Sequence, residues 1–527
     1  MMIDRADIAP LLPNSLGEET PGYAFALMVA DEAQIVCQGL ASLGHNVEIT
    51  SDTAFRIASV TKHFLALTAQ MLHNKGVVDL DAPLGSHLEE LTGVQAAVTM
   101  RQALNNSSGI RDHLELAMMA GGALDQPISR AQSYELICRQ QATNFEAGSS
   151  YLYSNANFFL VTEAVERVTG RNLGDLLNEN FFEPNEMTGT SYEPLHLSVI
   201  SNMATGYVDR TDHFEKAPFL TELTGDGAMV STLSDLVRWY RYLRADPDGL
   251  FAQISEITTF TNGETAHYGL GIFTRPFMGS PVRGHQGLWP GYRADLAMFD
   301  ALDIGAICLT NVNTLDPTTL TRSVIGKQMV QSGSARLEQP KPDADALAAM
   351  VEADIFLNTD TLEHFKFSVD QNELIMEISG WTFRHPITGA SEIVFKVPSD
   401  YLKLDWSEAA EGRVILTKIN GDKVVLEKTT FVDQDEALKN FVGTYRCDEL
   451  NSAMEIRNES GGMATLRSAF AHSGDWIVTP ITDEIFTLAQ NSGPWPRQVT
   501  GKLVEGGRSV MLSGPRVKNM KFMAEAS

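Results

Sequence analysis

A serine hydroxyl attacks a carbonyl only after a base has taken its proton, so the informative residues are hydroxyls with an amine, phenol or imidazole at a spacing that folding can close. Ser59-Val60-Thr61-Lys62 supplies one such pair. It follows the strand-like run FRIA and opens residues 59–75, whose apolar positions recur at helical spacing until Gly76. A separation of i, i+3 places both side chains on one helical face. Lysine acts as a base only when burial and positive surroundings pull it down from its usual ~10.4. The helix N-terminus contributes to that field, and the N–H of Ser59 can serve as one oxyanion donor. The four-residue pattern alone is common by chance, and Ser59 reads equally well as a plain N-cap.

Two further clusters raise the reading. Tyr153-Ser154-Asn155, within FEAGSSYLYSNANFFLV, offers a phenol as a second general base or acid and an amide, Asn155, to orient substrate; the alternative is an ordinary loop tyrosine before a helix. His285-Gln286-Gly287, within VRGHQGLWPGYRADL, lies before a strand-like run. A small residue at Gly287 lets substrate backbone lie along the strand edge, and the N–H of Leu288 can be the second oxyanion donor. His285 can hydrogen-bond the lysine, the tyrosine or the leaving group, or else pack as a core imidazole. Three motifs in this order predict acyl transfer: Ser59 is the nucleophile, Lys62 or Tyr153 takes its proton, and Tyr153 protonates the leaving amine and later activates water. Neither a metal nor a cofactor is called for. Which of Lys62 and Tyr153 holds the proton at rest stays open, because the two titrations are coupled.

The elements that must position these groups follow from the patterning. Residues 24–38 predict a hairpin turning at Asp31-Glu32, and strand-like runs return at 267–275 and 292–312 around helical segments. This gives a multi-domain α/β (α+β) chain whose first 333 residues form the catalytic domain, with a largely antiparallel sheet flanked by helices. The stretch SGSARLEQPKPD, 332–343, suits a linker. Beyond it, short alternating segments separated by polar turns predict two small antiparallel β-barrel domains, 344–430 and 437–527. Trp381, Trp406, Trp476 and Trp495 read as core or interface residues of these domains rather than ligand platforms.

Composition narrows the partners. With 40 Lys+Arg against 67 Asp+Glu, the net charge of -27 repels phosphate backbones and anionic lipid, so nucleic acid and membrane surfaces are excluded as expected partners. Cys37, Cys138, Cys308 and Cys447 are scattered and show no metal-ligand spacing. The first 22 residues lack a basic segment followed by an apolar one, and no long apolar run occurs, which reads as cytoplasmic.

With these residues in hand, the chain resembles the serine β-lactamase and penicillin-recognising enzymes, in their class C-like branch. The pieces FRIASVTKHF, GVVDLDAPL, VTMRQALNNSSGIRD, FFEPNEMTGTSY, GDGAMVSTLSDLVRW and YGLGIF carry that likeness over residues 20–330. NNSSGIRDH followed by AMMAGG, the two β domains and GTYRCDELNSA extend it to the D-stereospecific aminopeptidases. The resemblance implies a cytoplasmic homodimer that releases N-terminal D-amino acids from small peptides or amides. It also implies that a loop of the last domain reaches the cleft and selects a free amine. The corresponding segment here, 489–498 (AQNSGPWPRQ), carries no carboxylate to pair with an ammonium, which leaves Asp475 or Asp483 as stand-ins. The alternatives are an esterase, amidase or penicillin-interacting hydrolase using the same site, or a non-catalytic binding protein on this scaffold.

Overall fold

The computed structural model describes residue 3 and residues 5–122, 126–195, 197–331, 343–371, 373–387, 391–397, 400–459, 462–468, 475–490 and 497–525. A six-stranded antiparallel sheet organises the N-terminal part. Its strands are β1 (Tyr23–Val29), β2 (Glu32–Gln38), β3 (Phe273–Phe277), β4 (Ser280–Trp289), β5 (Tyr292–Phe299) and β6 (Ile304–Thr310), in the spatial order β3-β4-β5-β6-β1-β2. The hairpin expected at Asp31-Glu32 is β1–β2, with Val29 opposite Glu32. Side chains on β1 alternate between two cores: Ala24, Ala26 and Met28 join the large one, whereas Tyr23, Phe25 and Leu27 join another. A strand buried on both faces needs a cover on each. Helices α1 (Thr61–Asn74), α2 (His113–Met119), α3 (Arg130–Cys138), α4 (Asn155–Thr169) and α5 (Leu233–Ala245) lie between the strand pairs in sequence. Helix α5 packs on β1 and β6, while α6 (Pro317–Gln331) packs on β5 and β6.

Residues 332–342 of the expected linker lie outside the described residues. After a short helix, Ala344–Val351, eight strands from Ile355–Leu357 to Lys423–Thr429 form one antiparallel sheet, with Trp381–Pro386 and Glu392–Val397 at its two ends. The last eight strands, Gly443–Cys447 through Met520–Ala524, close into a barrel where Tyr445 pairs with Ala524. Eight strands leave an interior just wide enough for side chains, and Met454, Leu466, Trp476, Phe486, Val510 and Phe522 fill it. Trp406 and Trp476 are buried, as read from the sequence, while Trp495 lies outside the described residues.

The barrel does not close its core alone. Leu116, Ala117, Met119 and Ala120 at α2, with Ile128 and Leu136 near α3, belong to the same buried cluster as the barrel interior. The eight-stranded sheet meets the barrel through Ile355, Leu357 and Leu362 against Ile481 and Ile485. The barrel is thereby packed on the helices that flank the Ser59 region.

Candidate active site

Ser59 sits on a 3₁₀ turn, Ala58–Val60, between the short strand Ala54–Arg56 and α1. The turn is sharp: Ala58 has φ 48°, a left-handed conformation that a residue with a Cβ adopts only when its surroundings impose it. Here Ile57 N–H donates to Met229 O at 3.1 Å, and Thr61 Oγ1 donates to Ala58 O at 2.6 Å while accepting from Met229 N at 3.2 Å. These bonds tie the turn to the strand Met229–Thr232.

Lys62 is fully buried on the first turn of α1. Its Nζ lies 2.9 Å from Ser59 Oγ, 2.8 Å from Asn155 Oδ1 and 2.5 Å from the carbonyl oxygen of Asp226. Two of these partners are acceptors with no proton to give. A neutral amine would place its two N–H groups on Asn155 and Asp226 and turn its lone pair to the Ser59 hydroxyl, the arrangement a base requires. Burial pushes the ammonium down to about 7; the Asp226 carboxylate opposes that shift, Arg516 adds to it and Asp112 opposes it.

Tyr153 lies in the loop that enters α4, with Asn155 the first helical residue. The phenol is buried, has Ser59 as a hydrogen-bond partner, and packs 4.9 Å from Lys62 Nζ to ring centroid. Desolvation raises it well above the ordinary tyrosine value, so the ring is a phenol at neutral pH. Asp112 Oδ2 accepts from the backbone N–H of Asn155 at 2.6 Å and from its Nδ2 at 2.9 Å. That pair of bonds fixes the Asn155 amide so that Oδ1 faces Lys62. The amide expected to orient substrate is thus engaged at both ends by protein groups.

His285, Gln286, Gly287 and Leu288 lie inside β4, not before a strand as read from the sequence; the strand is longer than its apolar run suggested because β3 and β5 both pair with it. Strand β3 covers only Ser280 to Gly284. The rest of that edge faces the Ser59 turn, and a Cβ on Gly287 would lie 2.1 Å from Ile57 O and 3.2 Å from Ala58 Cβ. With the two-residue turn Pro290-Gly291 closing the hairpin, alternation of antiparallel hydrogen bonds directs the backbone groups of Gln286 and Leu288 away from β5, toward this edge. His285 Nε2 meets Tyr268 OH at 3.1 Å, and its Nδ1 meets Gln286 O at 2.6 Å. None of the three hydrogen bonds of Lys62 goes to His285, whose ring centroid is 6.0 Å from that of Tyr153.

Several groups at the site were not singled out from the sequence. Asp112 and Asp226 stand in the segments SSGIRD and GDGA, which carried the family likeness without assigning either residue a role. Arg516, from the barrel, places its guanidinium 5.0 Å from the Tyr153 ring centroid and 3.8 Å from Asp112 Oδ2. Of the expected intruding loop, 491–496 lie outside the described residues. Asp475 faces Arg457 and Thr465 on the barrel, and the carbonyl of Asp483 accepts from Asn440. Among the described residues there is no group of His, Cys, Asp or Glu that could hold a metal ion, and no helix is long and apolar enough to cross a membrane.

Known proteins share this arrangement of elements. A family model described as Beta-lactamase matches residues 15–325. A D-aminopeptidase of Brucella ovis is 31% identical over 288 residues, 53% of this chain and 54% of the relative. One of Brucella anthropi is 32% identical over 281 residues, 52% of each chain. The chain therefore spans about half the length of the curated relatives it matches. Among solved structures, the octameric penicillin-binding protein homologue from Pyrococcus abyssi superposes with a TM-score of 0.54 at 18% identity, over 78% of this chain and 96% of that one. The D-amino acid amidase from Ochrobactrum anthropi SV3 complexed with D-phenylalanine gives 0.50 at 22% identity, over 59% and 95%. At these identities the structural likeness is one of fold.

Proposed function

Because the chain belongs to the Beta-lactamase family, we propose that it is a serine hydrolase working through an acyl-enzyme on Ser59, and that its substrates are small peptides or amides with a D-amino acid at the N-terminus. The observation that carries the reading is the placement of Lys62 Nζ, 2.9 Å from Ser59 Oγ with its other two partners accepting. Neutral Lys62 takes the hydroxyl proton as Ser59 attacks the carbonyl. The N–H groups of Ser59 and Leu288 receive the oxyanion, with Gly287 keeping the strand edge close. The phenol of Tyr153 then donates its proton to the leaving nitrogen, and the resulting site activates water for deacylation. Asn155, held by Asp112, orients Lys62, and His285 supports Tyr268 beside the phenol.

The substrate assignment rests on the D-aminopeptidases of the two Brucella species. Homodimerisation, a cytoplasmic location and the division into units 1–333, 344–430 and 437–527 are part of the same proposal, and the separate sheets support the division. One observation favours a second reading: the described barrel residue beside Tyr153 is a cation, Arg516, and a cation repels an ammonium. That favours an amidase or esterase with no requirement for a free amine. D-alanyl p-nitroanilide, its N-acetylated form, a p-nitrophenyl ester and nitrocefin assayed side by side separate the two. Preference for the free amine supports the aminopeptidase; equal or better cleavage of the acetylated form replaces it with the amidase. Mass spectrometry of Ser59 during turnover tests the acyl-enzyme in either case.

A further inference from the structure

Arg516 belongs to no motif, yet the chain holds it at the site with unusual care. It lies on the turn 514–519 between the barrel strands Ser509–Ser513 and Met520–Ala524. The turn is hydrogen-bonded to the catalytic part through Arg516, Lys518 and Asn519. Arg516 N–H donates to Glu115 Oε2 at 2.7 Å, Arg516 O accepts from Asn144 Nδ2 at 2.9 Å, and Lys518 N–H donates to Asn144 Oδ1 at 2.8 Å. Buried Arg111 donates from Nη2 to Lys518 O at 3.1 Å and to Asn519 O at 3.3 Å. Contact is close enough that a Cβ on Gly514 would lie 1.8 Å from Glu115 Oε1. From this base the guanidinium, with its side chain 20% exposed, covers the Tyr153 ring and faces Asp112. Lys62 Nζ lies 4.9 Å from the centroid of the same ring, so the two cationic groups are at most about 10 Å apart.

We propose that Arg516 is a positioning residue of the acyl-transfer site: the barrel carries in a fixed positive charge that keeps Lys62 able to accept the Ser59 proton, and the site is complete only with the barrel docked. The proposal rests on the reading of Ser59 as nucleophile and Lys62 as its base. Besides the hydrogen-bond partners already given, the titratable and charged groups that face Lys62 are Tyr153, the carboxylates of Asp112 and Asp226, and Arg516. His113 stands 3.8 Å behind Asp226, and Glu115 and Lys518 flank Arg516. Both aspartates favour an ammonium on Lys62, and Arg516 opposes them. Without it, the buried carboxylate of Asp112 would act on Lys62 uncompensated. At such separations and an effective dielectric near 20, one charge moves a buried amine by about one pH unit.

The test is the rate at which a fluorophosphonate labels Ser59 in the full-length protein between pH 5 and 10, followed by intact-mass spectrometry. This probe reads the nucleophile without depending on peptide specificity. In the wild type the acid limb reports Lys62. Arg516→Gln is expected to move that limb up by about one pH unit while the high-pH rate is kept, and Arg516→Lys, which restores the cation, is expected to return it. Arg516→Met serves as a second neutral variant, with thermal melts confirming that each protein is folded. A limb that stays in place in a folded neutral variant, with the rate lowered by one factor at every pH, overturns the proposal and leaves Arg516 a structural residue. A lysine variant that shifts like glutamine does the same. Absence of labelling in the wild type instead removes Ser59 from its role.

Discussion

Adding one methyl group at Gly287 tests the geometry of the site more sharply than removing any side chain. The Cβ of Gly287→Ala would lie 2.1 Å from the carbonyl oxygen of Ile57, whereas such atoms essentially never approach within 3.0 Å, so the strand edge and the Ser59 turn must part by about 1 Å. The neighbour cannot yield by a side-chain rotation, because it is backbone held by the Met229 hydrogen bonds and by the strained Ala58. Overpacking of this kind costs on the order of 1–3 kcal/mol of stability. The loss in rate should be larger in proportion, since a displacement of about 1 Å between nucleophile and oxyanion donor lowers turnover about 10²-fold. The assay is kcat/KM on a p-nitroanilide or p-nitrophenyl substrate, alongside a thermal melt. A folded Gly287→Ala protein with wild-type kcat/KM would refute the placement of the carbonyl between the Ser59 turn and the β4 edge.

Ser59→Ala is expected to abolish turnover with the fold intact, and a residual rate above a few per cent would remove Ser59 as nucleophile. Lys62→Ala and Tyr153→Phe should each lower kcat about 10²-fold or more, read on the same substrates. Burial, with the nearby Asp112 carboxylate, raises Glu115 from its ordinary 4.5 to about 8. The folded state therefore keeps a proton that the unfolded state loses, and stability falls as pH rises from about 4.5 to about 8, by roughly 5 kcal/mol at most. Glu115→Gln should flatten that decline in urea midpoints measured across the window; an unchanged slope would reject the assignment. Trp476→Ala, in the core that the barrel shares with Leu116 and Ile128, should cost about 3–5 kcal/mol. Activity and barrel structure should then melt together in calorimetry, and two separate transitions would show that the shared core does not couple them.

What was legible in the sequence depended on the range of the interaction that creates each feature. The β1–β2 hairpin, α1 and the barrel strands such as Ser452–Arg457 follow from local periodicity, and each stands where its pattern put it. Ser59 and Lys62 share a helical turn, so their meeting is local too. Tyr153 and Gly287 were recognisable because their neighbours form short motifs, although only the fold brings them to Ser59. His285, read from the sequence as a group that could bond the lysine, the tyrosine or the leaving group, instead meets Tyr268 and its neighbour's carbonyl, and the first of these arrives from the segment before β3. Asp112 reaches the site because Asn155 presents two N–H groups to it from 43 residues away.

Arg516 marks the limit of that kind of reading. An arginine in a polar turn, GPRVKN, is indistinguishable in sequence from a solvated surface residue. Its meaning comes from the apolar contacts that seat the barrel on α2 and α3, more than 300 residues earlier in the chain. Burial of Leu116, Ala117 and Met119 against the barrel fixes where the turn 514–519 must lie, and the hydrogen bonds from Arg111, Asn144 and Glu115 then fix its orientation to within side-chain reach of Tyr153. Nonspecific apolar packing thus supplies the docking, and a few directional bonds supply the register. The consequence is that the barrel of a protein of net charge -27 contributes a cation beside the proton-transfer residues, where Asp112 and Asp226 already stand. One residue delivered from the barrel thus brings a positive charge to a site where the two carboxylates and the molecule as a whole carry the opposite sign.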